Sequence, residues 1–271
     1  MLHRPYPALV ACLLLLLALS LLSPLQAQAA GTVLRYHWVL GAHTSQTEVD
    51  TTTTTLHLTP PTGTTGTTTQ ISRYTTTQAV RKVYADGSGL VRSTFTDYST
   101  STGHKATAYS LKGFAVDQRI SPVGVLMSQT LVGTFAPEAN PPNGIVSPIP
   151  TRYATGPVAV GGVWHQTVND GSGSGGVVAA YQVRAFGSWH GRPTVSLAIT
   201  IDQPFRTNGS LPLTGTYVGH ASETVVVADG ALVAPSHATL GLHGTVDGTI
   251  NGKKTRGTVI ISSTQDVTPG P

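Results

Sequence analysis

Ten histidines, twelve carboxylates and one stretch of alternating serine and glycine are the residues of this chain whose types could do chemistry. Imidazole comes first, because it binds metals and moves protons near neutral pH. No two histidines stand in a His-x-His, His-x-x-x-His or His-Glu-x-x-His pattern, and the single cysteine, Cys12, lies in the apolar leader. A zinc site would have to assemble from separate strands, with His165 and His190, each following a tryptophan, as its natural members. Neighbours on a strand point to opposite faces, so if Trp164 and Trp189 turn inward the two histidines turn to solvent. No metal site is assigned. The string Gly171-Ser172-Gly173-Ser174-Gly175-Gly176 has glycine where a nucleophile elbow needs serine, and reads as a hairpin loop. Asp170 at its start lacks the alternating carboxylates that calcium requires.

Glycoside cleavage needs two carboxylates facing each other. Asp86, Asp170, Asp229 and Asp247 each precede a glycine and are explained by turn geometry. Glu48, Glu138, Asp202 and Glu223 follow no pattern that brings them together. The sequence therefore assigns no catalytic, cofactor-binding or metal-ligating residue, implies no cofactor, and is read as that of a non-catalytic protein. Its ligand-binding residues stay unassigned. The large aromatics Tyr36, Trp38, Trp164, Tyr181, Phe186 and Trp189 either line a ligand face or fill a core. A sheet without disulfides must bury its largest side chains, so the core is the expected place.

The elements that would position these residues are strands. Leu34, Tyr36, Trp38 and Leu40 alternate with Arg35, His37 and Val39; Val195, Leu197, Ile199 and Ile201 alternate with polar neighbours; Leu240, Leu242 and Val246 share one parity. Period-two patterning marks strands with one apolar face. Hairpin dipeptides punctuate them: Asp86-Gly87, Asn143-Gly144, Asp170-Gly171, Asn208-Gly209, Asp229-Gly230, Asp247-Gly248 and Asn251-Gly252. The fold class is all-β: a single large, strongly curved antiparallel meander, half-barrel-like, with little helix apart from the leader. Threonine is over-used. Residues 47–58 read as a strand with little apolar content, because β-branched threonine fits a half-wet pleated surface. The Thr/Pro/Gly-rich residues 59–69 read as a loop, and the tail 263–271 is expected to fray.

Arg4, the apolar run 8–22 and the small residues Ala27-Gln28-Ala29 have the layout of a secretory signal over residues 1–29. Residues 30–271 then form a single β domain, with candidate halves 30–140 and 148–268, secreted or held in the cell envelope. The apolar run is short for a spanning helix, so membrane attachment would come only through an uncleaved leader. Without a cysteine after the leader, core and ladders alone hold the chain together. The formal net charge is +4, one unit of it from Arg4 in the leader, and charged residues are only 10% of the chain. Arg81-Lys82 and Lys253-Lys254-Thr255-Arg256 are the basic clusters, with no interleaved aromatics. Nucleic acid is not an expected partner.

The phrase from Pro148-Ile149-Pro150 through Pro157-Val158-Ala159-Val160-Gly161-Gly162-Val163-Trp164 continues through Tyr181-Gln182-Val183-Arg184, Gly191-Arg192-Pro193, Gly219 and the hairpin 225–233. That order resembles exported bacterial β proteins of unassigned function related to the LolA/LppX-like lipoprotein carriers, over residues 148–267. The resemblance implies a curved sheet whose concave apolar face holds acyl chains. The expected function is that of a non-catalytic exported β-sheet protein of the cell envelope or extracellular space, its apolar face either filled by its own side chains or open to a hydrophobic or lipid-like ligand. The alternative is a Thr-rich structural or adhesive protein meeting a cell-surface component, and a secreted hydrolase comes third.

Overall fold

A computed structural model describes residues 31–59, 65–102, 105–110, 114–133, 151–168, 177–206, 212–250 and 253–270. Residues 1–30, residues 60–64 of the expected loop, the 171–176 string, Glu138, and the dipeptides Asn143-Gly144, Asp170-Gly171, Asn208-Gly209 and Asn251-Gly252 lie outside them. The described chain is all-β. Its strands are β1 (His43–Leu58), β2 (Thr65–Val83), β3 (Gly89–Thr102), β4 (Lys105–Ser110), β5 (Ala115–Ile120), β6 (Leu126–Val132), β7 (Val163–Val168), β8 (Val177–Trp189), β9 (Arg192–Arg206), β10 (Leu213–Val226), β11 (Ser236–Ile250) and β12 (Lys253–Pro269). Among the described residues no helix is long and apolar enough to cross a membrane.

All twelve strands belong to one antiparallel sheet in the order β6-β5-β3-β2-β1-β12-β11-β10-β9-β8-β7, with β4 paired to β3. The first and last strands meet in the middle, from Gln46↔Pro269 to Leu58↔Gly257. This pairing corrects the expected fraying: residues 263–269 sit inside the ladder, and the Gly270 amide still donates to the Ser45 carbonyl at 2.7 Å. Proline at position 269 is tolerated because it ends its strand.

The sheet is open, neither closed nor strongly curled, which corrects the expected half-barrel. The reason lies in the ladders. Bulges bend a strand and increase its twist. Here they fall at Thr75/Thr76 and Val80/Lys82 between β2 and β3, at Arg119/Ile120 in β5, and at Val183/Ala185 in β8. The ladders joining β2, β1, β12, β11, β10 and β9 run without register shifts. Nothing bends the middle of the sheet.

Two further expectations fail for related reasons. Thr65–Thr69 are not loop but the start of β2, where Thr69 and Thr67 face Thr53 and Thr55 with hydroxyls 3.1 and 3.2 Å apart. Cross-strand threonine pairs supply the order that apolar packing does not. Asp247-Gly248 is not a turn but lies within β11, where Asp247 opposes Arg256 and accepts from its Nε at 3.0 Å. By contrast, Asp86-Gly87 and Asp229-Gly230 do lie in turns, with Gly87 and Gly230 at φ of 77° and 71°.

The largest departure concerns residues 34–40. The alternation holds from Leu34 to Trp38, with Leu34 and Tyr36 buried and Arg35 half-exposed, and fails at Leu40, which is exposed; the segment forms no strand. Residues 31–42 cross the end of the sheet instead, bonding in turn to Val158, Pro122, Ala228 and Val80. Period two reports extended backbone with one buried side; a ladder partner is a separate matter. Residues 151–162 lie beside this segment, held by Tyr153 N–H donating to the Val123 carbonyl at 3.0 Å and by the Arg35 guanidinium on the Ala154 and Thr155 carbonyls. The two segments cover one end of the sheet and supply its main core: Leu34, Tyr36, Tyr153 and Val158 pack on Trp164, Tyr181, Val183, Val195, Leu197 and Val225. Tyr36 stacks on Trp38 at 4.7 Å and on Tyr153 at 4.8 Å between ring centroids. Trp38 reaches β3 only because residue 89 is glycine; a Cβ there would stand 2.5 Å from the indole.

Candidate functional site

Away from the covered end, no described segment lies over the same face of the sheet. Strand alternation puts Tyr74, Ser72 and Gln70 of β2, Glu48, Asp50 and Thr52 of β1, and Gln265 and Ser263 of β12 on that face. Continuing across the register, Asp50 opposes Gln265, Gln265 opposes Ala238, Ala238 opposes Ala221, and Ala221 opposes Ile199. The next row reads Thr52, Ser263, Leu240, Gly219, Ile201 in the same way. Together with Tyr98 of β3, these residues, the buried Glu48 excepted, line an open cleft of about 510 Å³. One wall, on β1, β2 and β12, is polar and acidic. The other, on β9, β10 and β11, is small or apolar, and Leu240 is 38% exposed.

The acidic wall is built from two carboxyls two residues apart on β1. Glu48 is only 4% exposed. The Gln265 amide donates to its Oε1, and the Tyr74 hydroxyl, on the residue opposite Glu48, also bonds it. Burial pushes the Glu48 carboxyl up to about 7; the Tyr74 bond opposes this, and the neighbouring Asp50 charge adds to it. Burial also lifts Asp50 to about 6, against the hydrogen bond from Gln265. One side-chain amide thus serves both acids. Tyr74 is held well above its usual range by burial first and by both carboxylates next. Tyr74 and Tyr98 in turn pack with Phe95, Phe114 and Val116, which fixes the tyrosine side of the cleft.

Glu223 is a second buried acid, on the same face of β10 but under the covering segments. It accepts from Thr151 Oγ1 at 2.6 Å, and burial raises its pKa while that bond lowers it. The Tyr36 hydroxyl donates to the Thr151 carbonyl at 2.9 Å, so one residue ties the acid to the aromatic plug. Glu48 and Glu223 thus occupy separate sites, and no carboxylate lies on the β9–β11 wall opposite Asp50. Asp202 is exposed on the outer face.

His165 is exposed on β7, with Trp164 turned inward at 9% exposure. His190 lies in the β8–β9 turn with φ of 48°, and Trp189 beside it is 40% exposed, its ring 4.5 Å from the imidazole. The structure therefore does not bring the two histidines together, and Trp189 does not point inward as its spacing suggested. The bulge at Val183/Ala185 shifts the strand's parity before Trp189 is reached. Among the described residues no group of three or more His, Cys, Asp or Glu is placed to hold a metal ion. Sequence reading missed the pairing of Glu48 with Asp50, although Glu-x-Asp inside a threonine-rich strand was the available signal: spacing of two puts both acids on one face. What it could not supply was Gln265, 217 residues away.

No known family model matches the chain, and no curated protein matches it either.

Proposed function

We propose that this chain is an exported, non-catalytic β-sheet protein that binds a hydrophobic or lipid-like small molecule in the open cleft. One observation carries the reading: about 510 Å³ of open space whose far wall is Ile199, Ile201, Gly219, Ala221 and Leu240. Ligand sites are concavities of ~300–1,000 Å³ with mostly apolar linings and a few placed polar groups. Apolar surface left exposed in such a place gains ~25 cal/mol per Å² when a chain covers it. The leader-like residues 1–29 and the resemblance of residues 148–267 to lipoprotein-carrier relatives support export and an apolar cargo. Native mass spectrometry of residues 30–271 with dodecanol tests it. A one-to-one adduct is expected, lost in Ala221→Phe, whose ring fills the cleft. No adduct, or an adduct indifferent to that substitution, overturns the reading.

A second reading, a structural or adhesive surface protein, draws on the outer face of β1 and β2. There Thr47–Thr75, Thr53–Thr69 and Thr55–Thr67 form a ladder of paired hydroxyls. Threonine replacements on that face that release the protein from the cell surface, with cleft binding intact, would favour it.

A further inference from the structure

The cleft's charge decides which amphiphile it fits. The chain as a whole carries a formal net charge of +4, with sixteen Lys and Arg. Among the described residues, no Lys or Arg lines the cleft. Its lining includes Asp50, and Glu48 lies directly beneath, joined to it through the Gln265 amide. The groups that face this pair are Tyr74 of β2, Tyr98 of β3 and the neutral Gln265 and Ser263 of β12. The β9, β10 and β11 wall offers Ile199, Ile201, Gly219, Ala221, Ala238 and Leu240, and no charge. His220 and Thr239 border the cleft from the opposite parity of their strands, and the His220 side chain belongs to the outer face. Among the described residues, this concavity therefore sets a local sign opposite to that of the whole molecule beside an apolar wall.

We propose that the cleft binds a cationic amphiphile: an alkyl or acyl chain lying along the β9–β11 wall, with a protonated amine or quaternary ammonium head seated against Asp50 and Glu48. The inference rests on the reading of the cleft as a hydrophobic-ligand site, and it adds the headgroup. An anionic head, carboxylate or phosphate, would be placed against two acids with no Lys or Arg among the described lining residues to receive it. A cation there offsets the carboxylate charge by Coulomb attraction, and a protonated amine also donates charge-assisted hydrogen bonds to the carboxylate oxygens. Tyr74 and Tyr98 line the same cleft, and aromatic rings attract a cation placed over them. Seating a positive charge stabilises both carboxylates, so binding releases protons wherever Glu48 or Asp50 is still protonated. With these groups at about 7 and about 6, affinity for a permanently charged head weakens as pH falls from 8 to 5.

Three probes of equal chain length separate the possibilities: dodecyltrimethylammonium and dodecyl sulfate below their micelle concentrations and dodecanol below its solubility limit, each titrated calorimetrically with residues 30–271. At pH 8 the ammonium probe is expected to bind at least about tenfold more tightly than the alcohol, and the sulfate more weakly than both. Asp50→Asn and Glu48→Gln are each expected to shrink the ammonium-to-alcohol ratio several-fold. Thermal unfolding of the two variants checks that they are folded, and the ratio itself is insensitive to a change in the fraction of active protein. Equal affinities for all three probes, or a preference for sulfate, overturn the headgroup proposal while leaving a hydrophobic cleft. A ratio unchanged in both variants overturns it as well. Failure of all three probes to bind, dodecanol included, removes the underlying reading along with it.

Discussion

One face of this sheet carries two buried acidic sites, and they differ in what lies over them. Glu223 sits beneath residues 151–162 and 31–42, receives the Thr151 hydroxyl, and is walled by Tyr36, Tyr153 and Tyr181. Glu48 sits beneath nothing but its own strand neighbours, with Tyr74 and Gln265 as partners and Asp50 open to the cleft. At the first site non-strand chain fills the concavity with aromatic rings, as a core requires. At the second the same face offers polar and small residues beside Ile199, Ile201 and Leu240, and no described segment crosses it. A sheet of this kind becomes core or binding surface according to what crosses it.

The comparison breaks most readily at the plug. Tyr153 is 0% exposed and stacks on Tyr36, so Tyr153→Ala should lower stability by about 3–5 kcal/mol. Urea denaturation followed by tryptophan fluorescence measures it. A loss below about 1 kcal/mol would mean that the covering segments are not what holds this end.

Glu48 sharpens the comparison through pH. Its folded-state pKa, about 7, lies above the ordinary value of 4.5. Between those values the folded chain keeps a proton that the unfolded chain has released, so stability falls as pH rises through that window and levels off above it. The full difference is on the order of 3 kcal/mol. Asp50, lifted to about 6, adds to the same trend over a lower window. Glu48→Gln should therefore raise the unfolding midpoint at pH 8 and leave it nearly unchanged at pH 4, as scanning calorimetry at the two pH values would show. A midpoint equally shifted at both would rule out an ionisation effect.

The smallest effect belongs to the outer face. Thr53 and Thr69 pair through hydroxyls 3.1 Å apart and are solvent-accessible. Thr53→Ala should cost under about 1 kcal/mol, and leave dodecanol and ammonium binding alike. A larger loss would make the threonine ladder, rather than the plug, the organiser of the bare end.

Much of the architecture was written in local pattern. The alternation through residues 195–201 lies in β9, and Asp86-Gly87 and Asp229-Gly230 turn where positive φ is needed. Other positions misled for identifiable reasons. The 34–40 segment shares the strands' period because any extended chain with one buried side does. Thr65–Thr69 looked too polar to be strand, yet long ladders on both sides of β1 order them. Asp247-Gly248 carries a turn signature that an ion pair with Arg256 overrides.

Strand content, the antiparallel class and the two-sided character of β1 follow from the sequence alone, because side-chain alternation and turn residues act over two to four neighbours. Which strands meet, β1 against β12 above all, was decided only in the folded molecule. So were the cover over Glu223, the open cleft at Glu48 and Asp50, and the amide of Gln265 that joins those two acids. These depend on contacts between residues far apart in the chain, and no local pattern carries the free energy of bringing distant segments together.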